Sequence, residues 1–107
     1  AGATAIICGN DLIASGVISE CTQRGFRVPE DISVIGFDDI PLAPAMTPPL
    51  TTIRQDRNDL GKGAYVVLNS LIHHISISKM LMRPQLIERE SATRVSKEPR
   101  IIKDDLK

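Results

Sequence analysis

The sequence predicts an α/β protein built on a parallel sheet flanked by helices. Three features carry this expectation: two short apolar runs, Thr4–Cys8 and Ile32–Phe37, and a stretch of helical periodicity between them. An unbroken apolar run of this length suits a strand buried on both faces, as parallel sheets require. Strand, helix and strand at this spacing form a βαβ unit, whose strands run parallel and whose crossover is right-handed.

Each element can be justified in turn. Gly9-Asn10-Asp11 ends the first run, and either Asn10 or Asp11 can cap the helix that follows. Ile13, Val17 and Cys21 recur at four-residue steps, with Ala14 and Ile18 beside them, which predicts one buried stripe. Gly25 is placed as a left-handed C-cap, and Pro29 prevents the helix from resuming. Asp38-Asp39 closes the second strand. Pro41, Pro44, Pro48 and Pro49 then predict a stiff surface loop or a single helical turn. Leu50–Arg54 is β-prone and leads to Gln55. A long helix is expected from Asp56 to Ile75, with Leu60, Ala64, Val67, Leu68, Leu71 and Ile75 on its apolar side. Asp56 and Asp59 stand at its positive end, where carboxylates are favoured. Pro84–Glu90 alternates imperfectly and predicts a last strand at a sheet edge. Beyond Ser91 the chain turns polar, and 93–107 is expected to be a flexible tail.

Composition narrows the function. At 107 residues the chain has room for one domain, and its 42% apolar and 24% charged residues are those of a globular protein. Thirteen basic residues balance thirteen acidic ones, so no global field would hold DNA or an anionic membrane. No apolar run approaches the roughly 20 residues needed to span a bilayer. The opening residues lack the pattern of a secretory signal. Two cysteines, Cys8 and Cys21, are too few for a disulfide scaffold and suit a reducing compartment. Charge divides unevenly: the first 53 residues are net acidic and the remainder net basic.

In open parallel sheets, ligands bind beyond the carboxyl ends of the strands. Asn10 follows the first strand and Asp38 the second, so an amide and a carboxylate share one rim. The amide both donates and accepts, while the carboxylate only accepts, so together they can orient the hydroxyls of a small polar molecule. Gln55 can supply a third such group. Position alone leaves the alternatives open: Asn10 or Asp11 as a helix cap only, and Asp38 or Asp39 as a brace for the proline loop. A metal at Asp38-Asp39 is disfavoured because no histidine or further carboxylate stands nearby in sequence. Cys8 and Cys21 lack zinc spacing and are read as packing. His73 and His74 point about 100° apart on a helix and cannot chelate together. Gly61-Lys62-Gly63 lacks the P-loop pattern. Met80, Met82 and Arg83 are read as linker packing. No residue pattern argues for catalysis, and no cofactor is called for.

Four ordered motifs carry a resemblance: Thr4–Asp11, Gly25–Pro41, Thr47–Gln55 and Pro84–Ser91. Over residues 4–92 the chain resembles the LacI/GalR family of bacterial transcription regulators. The likeness is to the carboxyl-terminal part of the family's effector-binding region, a two-lobed, type I periplasmic-binding-protein-like fold of which only part is present. Resemblance implies that 1–52 lie mainly in one lobe, 53–85 mainly in the other, and 86–92 form a return strand. It carries the family's ligand contacts to Asn10, Asp38 and Gln55, with a sugar or nucleobase as effector. It also implies a homodimer, with the helix after Asn10-Asp11 and the segment after Asp38-Asp39 near its interface. Operator DNA would be bound only through an amino-terminal helix-turn-helix absent from this chain. With half of the cleft also absent, effector affinity is expected to be weak or nil. The implied location is cytoplasmic, without membrane association or enzymatic activity. A fragment of a periplasmic sugar-binding transport protein, which shares the fold, is the alternative. A helix-turn-helix or a secretory signal at the start of the parent protein would separate the two.

Overall fold

Strand β1 (Ala5–Ile7), helix α1 (Asp11–Gln23) and strand β2 (Ser33–Ile35) open a computed structural model that describes residues 2–95. A three-residue 3-10 turn at Ala43–Ala45 follows, then β3 (Thr52–Arg54), α2 (Arg57–Ile72) and β4 (Gln85–Ile87). The expected tail lies outside the described residues from 96 onward.

The βαβ unit is present. β1 and β2 run parallel in the register Ala5↔Ser33, Ile6↔Val34 and Ile7↔Ile35. α1 begins where Asn10 Oδ1 accepts the Ile13 amide at 2.8 Å, so Asn10 is the cap. It ends in a Schellman arrangement: Phe26 N–H reaches Cys21 O, Gly25 N–H reaches Thr22 O, and Gly25 has φ +80.

The core is small: Cys8, Ala14, Ile18, Val34, Ala43 and Leu50, with Ile6, Val17, Val28 and Met46 packed around it. Two expectations are corrected here. The buried line on α1 runs through Asp11, Ala14 and Ile18, whereas Ile13 is exposed and Cys21 only half-buried. β1 is not covered on both faces: Cys8 and Ile6 face the core, but Ile7 is 79% exposed. Alternation along the strand puts Ile7 on the opposite side, and no described element packs over it.

The other edge of β2 is paired. Gly36 N–H donates to Thr51 O and Val34 N–H to Ser91 O, while Ile35 and Thr51 form a parallel bridge. Ser91 is fully buried; its hydroxyl accepts the Thr51 amide at 2.8 Å and donates to Val34 O at 2.6 Å. Thr93 is tied to Ser33 through both its amide and its carbonyl. β3 and β4 form a separate antiparallel pair, with Thr52↔Ile87, Ile53↔Leu86 and Arg54↔Gln85 in register. The chain therefore leaves the first sheet and returns to it along two neighbouring strands.

α2 is capped by Asp56, whose carboxylate accepts the amides of Asn58 and Asp59. It is shorter than the periodicity suggests. His73 is the C-cap, its ring Nδ1 lies 2.8 Å from Asn69 O, and His74 has φ 55. The two histidines therefore sit past the helix rather than on it. Gly63 is the helix's buried residue, and a Cβ there would stand 2.7 Å from Met82 Cε. Leu60, Leu68 and Leu71 on the predicted apolar side are exposed.

Candidate functional site

The candidate site begins with an absent side chain. At Gly36 a Cβ would collide with Asp11 Oδ1 and lie 2.8 Å from Leu50 Cδ2. The end of β2 can therefore pass close to the start of α1, and Asp11 N–H bonds to Phe37 O at 3.0 Å. Asn10 and Asp38 flank that bond, so both belong to the rim at the carboxyl ends of the parallel strands.

Beneath the rim, Asp11 is fully buried. Its Oδ2 accepts the Ile40 amide at 2.8 Å and its Oδ1 accepts the Thr52 hydroxyl at 2.6 Å. One carboxylate thus fastens α1, the start of the proline loop and β3. Asp11 is the brace for that loop, and Asn10 is the cap.

Asp38 and Asp39 both have positive φ, 109 and 56. Non-glycine residues occupy this region at a cost of order 1–3 kcal/mol each, and such strain gathers at ligand sites. Asp38 N–H is held by Ile53 O at 2.8 Å, but its exposed carboxylate makes no hydrogen bond among the described residues. Asp39 behaves oppositely. Its carboxylate is buried between Arg54 Nε and Arg89 Nη1, each at 2.7 Å. Burial pushes the Asp39 carboxyl up, but the Arg89 and Arg54 guanidiniums outweigh that and hold it below the usual carboxylate value.

A polar pocket of about 300 Å³ is lined by Asp38, Asp39, Arg54, Gln55, Asp56, Arg57 and Asn58. It brings Asp38 and Gln55 together. Asn10 lies on the same rim but does not line this pocket; its oxygen is spent on the helix cap, while its amide NH2 makes no hydrogen bond among the described residues. Gln55 also borders an apolar groove along α2 formed with Leu60, Gly63, Met80 and Met82. Cys8 and Cys21 belong with the packing: burial pushes both thiols up, away from the reactive thiolate. Among the described residues no group of three or more His, Cys, Asp or Glu could hold a metal ion. No described helix is long and apolar enough to cross a membrane.

Sequence reasoning did not find Arg54 and Arg89 as partners of Asp39. Thirty-five positions separate the two arginines, and only the β3–β4 pairing brings them together. Nor was the buried role of Ser91 legible, since a serine opening a polar stretch has no periodic signal.

Comparison with known proteins identifies the family. The model for the periplasmic binding protein-like domain matches residues 1–92. The chain belongs to that family. It is similar to the HTH-type transcriptional repressor PurR of Vibrio cholerae serotype O1, at 40% identity over 88% of this chain and 29% of that protein. Against PurR of Photobacterium profundum the identity is 47%, over 82% of this chain and 27% of the other. The chain thus spans under a third of the curated relatives it matches. Among solved structures, the lac repressor dimer bound to operator and the anti-inducer ONPF matches with TM-score 0.81 and 35% identity, over 85% of this chain and 32% of that one. A LacI family regulator from an Arthrobacter species, in complex with lactose, matches with TM-score 0.75 and 33% identity, over 86% of this chain and 36% of its own. Within the periplasmic binding protein-like family, the resemblance is therefore to the effector-domain part of LacI-type regulators.

Proposed function

We propose that this chain serves as part of the effector domain of a LacI-type transcription regulator, taking a small polar molecule at the rim formed by Asn10, Asp38 and Gln55. The observation that carries this reading is the pairing of Asp38 and Gln55 in one polar pocket beyond the carboxyl end of β2, with Asp38 in a strained conformation and its carboxylate unengaged. A free carboxylate beside amides accepts hydroxyl or N–H donors at fixed positions, which suits a sugar or a nucleobase. The lactose-bound relative favours a sugar.

In this reading 1–52 lie mainly in one lobe, 53–85 mainly in the other, and 86–92 return. The side-by-side β3 and β4 support that division, since the chain departs and comes back at the same place. The whole protein would form a homodimer in the cytoplasm and hold operator DNA through a helix-turn-helix elsewhere in its sequence. Effector contacts from both lobes would favour one lobe angle, shifting the population that grips DNA. The named relatives are repressors rather than enzymes, and the chain is read as a binding module.

The test is calorimetric titration of the full-length regulator, after a thermal-shift screen of sugars and nucleobases has chosen the ligand. Asp38→Ala should cost about 1.5–3 kcal/mol of binding, the range for a hydrogen bond to a charged group. Unaltered affinity in that variant refutes the assignment.

A further inference from the structure

We infer that Asp39 is a positioning residue that ties the presentation of Asp38 to the crossing strands β3 and β4; this rests on the reading of Asp38 as a ligand group. The geometry is a closed clasp. Asp39 leaves the β2 end, Arg54 lies on β3, and Arg89 follows β4. The two guanidiniums take the two oxygens of one carboxylate that is 6% exposed. Arg89 Nη1 also donates to Leu50 O at 2.9 Å, which locks the third segment to the chain entering β3.

Two consecutive positive-φ residues are costly, so something must hold them. The clasp holds Asp39 from its side chain, and the Asp38 amide is then directed onto Ile53 O. Removing Asp39 strips the largely buried Arg89 of its carboxylate, and removing either arginine leaves the buried Asp39 charge only half compensated, so the cluster is expected to loosen as a unit rather than by degrees. A shift of β3 against β2 would reach Asp38 through this cluster, because Arg54 itself lines the same pocket as Asp38. Asp39 touches no ligand in this scheme; it acts through its neighbour.

Amide hydrogen exchange on the 107-residue chain, followed by NMR without any ligand, tests it. Asp39→Asn should accelerate the Asp38 and Arg89 amides about tenfold or more, since it takes the charge from both arginine contacts and the loss of even one charge-assisted bond is worth that much. The Ala14 amide in α1 should keep its rate relative to the global unfolding limit. Arg54→Gln should do the same at Asp38, and the double variant should be no faster there than either single one, since both break one cluster. Asp38→Ala should leave Arg89 at the wild-type rate. Wild-type exchange at Asp38 and Arg89 in Asp39→Asn overturns the inference, and so do fully additive effects. Should Asp39→Asn unfold the chain, Arg54→Gln decides alone: faster exchange at Asp38 sustains the clasp and an unchanged rate overturns it. Failure here leaves the Asp38 binding test standing, because no ligand enters.

Discussion

Asp11 offers the sharpest test of what holds the rim together. Removing its carboxylate by Asp11→Ala orphans two donors, the Ile40 amide and the fully buried Thr52 hydroxyl. An unsatisfied buried donor costs about 1–3 kcal/mol, so the pair amounts to about 3 kcal/mol or more. A small domain has about 5–15 kcal/mol in all, so this is a large share. Asp11→Asn keeps one acceptor oxygen and should recover about half of the loss. Urea denaturation followed by circular dichroism supplies the comparison, provided the slopes of the variants agree. A double-mutant cycle with Thr52→Val isolates the hydroxyl contact and should return a coupling of about 1 kcal/mol or more. A loss under about 1 kcal/mol in Asp11→Ala, or an Asn variant as damaged as the Ala one, would show that Asp11 is not the fastening point.

Gly36→Ala should be about as harmful, since its methyl runs into Asp11 and Leu50 and overpacking typically costs about 1–3 kcal/mol; a wild-type urea midpoint would contradict this. Asp39 predicts an acid limb of stability. Its folded pKa is depressed, so its contribution is full above the unfolded value and fades as pH falls below about 4 through the folded one. Asp39→Asn should flatten that limb, and an unchanged slope of stability against pH would refute it. Leu60, Leu68 and Leu71 on α2 are exposed, so the chain should dimerise or exchange segments with a neighbour to bury them. Light scattering at micromolar concentration checks this, and a monomer with α2 still helical by circular dichroism counts against it.

Much of the architecture was written locally. A cap at Asn10 or Asp11 (the structure uses Asn10), Gly25 in the left-handed C′ position and Asp56 at the start of α2 each act within four residues of the backbone they satisfy. The βαβ order follows from the same short-range signals, and the motifs that carry the family resemblance lie in these segments. Asp38 and Gln55 could be picked as rim residues because strand ends and parallel direction imply a common edge. Burial was another matter. Ile13 and Ala14 are neighbours with equal claims to a stripe, and only the approach of β2 decides that Ala14 goes inside. The apolar side of α2 is written into the sequence, but the partner surface that would cover it is not among the described residues.

The two adjacent aspartates mark the boundary most clearly. Sequence alone determined that carboxylates stand at the end of β2, and their chemistry as acceptors came with it. Which one is buried under arginines and which one faces the pocket was decided by the meeting of β3 and β4, which delivers Arg54 and Arg89 to the same spot. A side chain's charge is a property of its own atoms, whereas its burial and its partners depend on chain segments dozens of residues away. Those distant contacts exist only once the strands have paired.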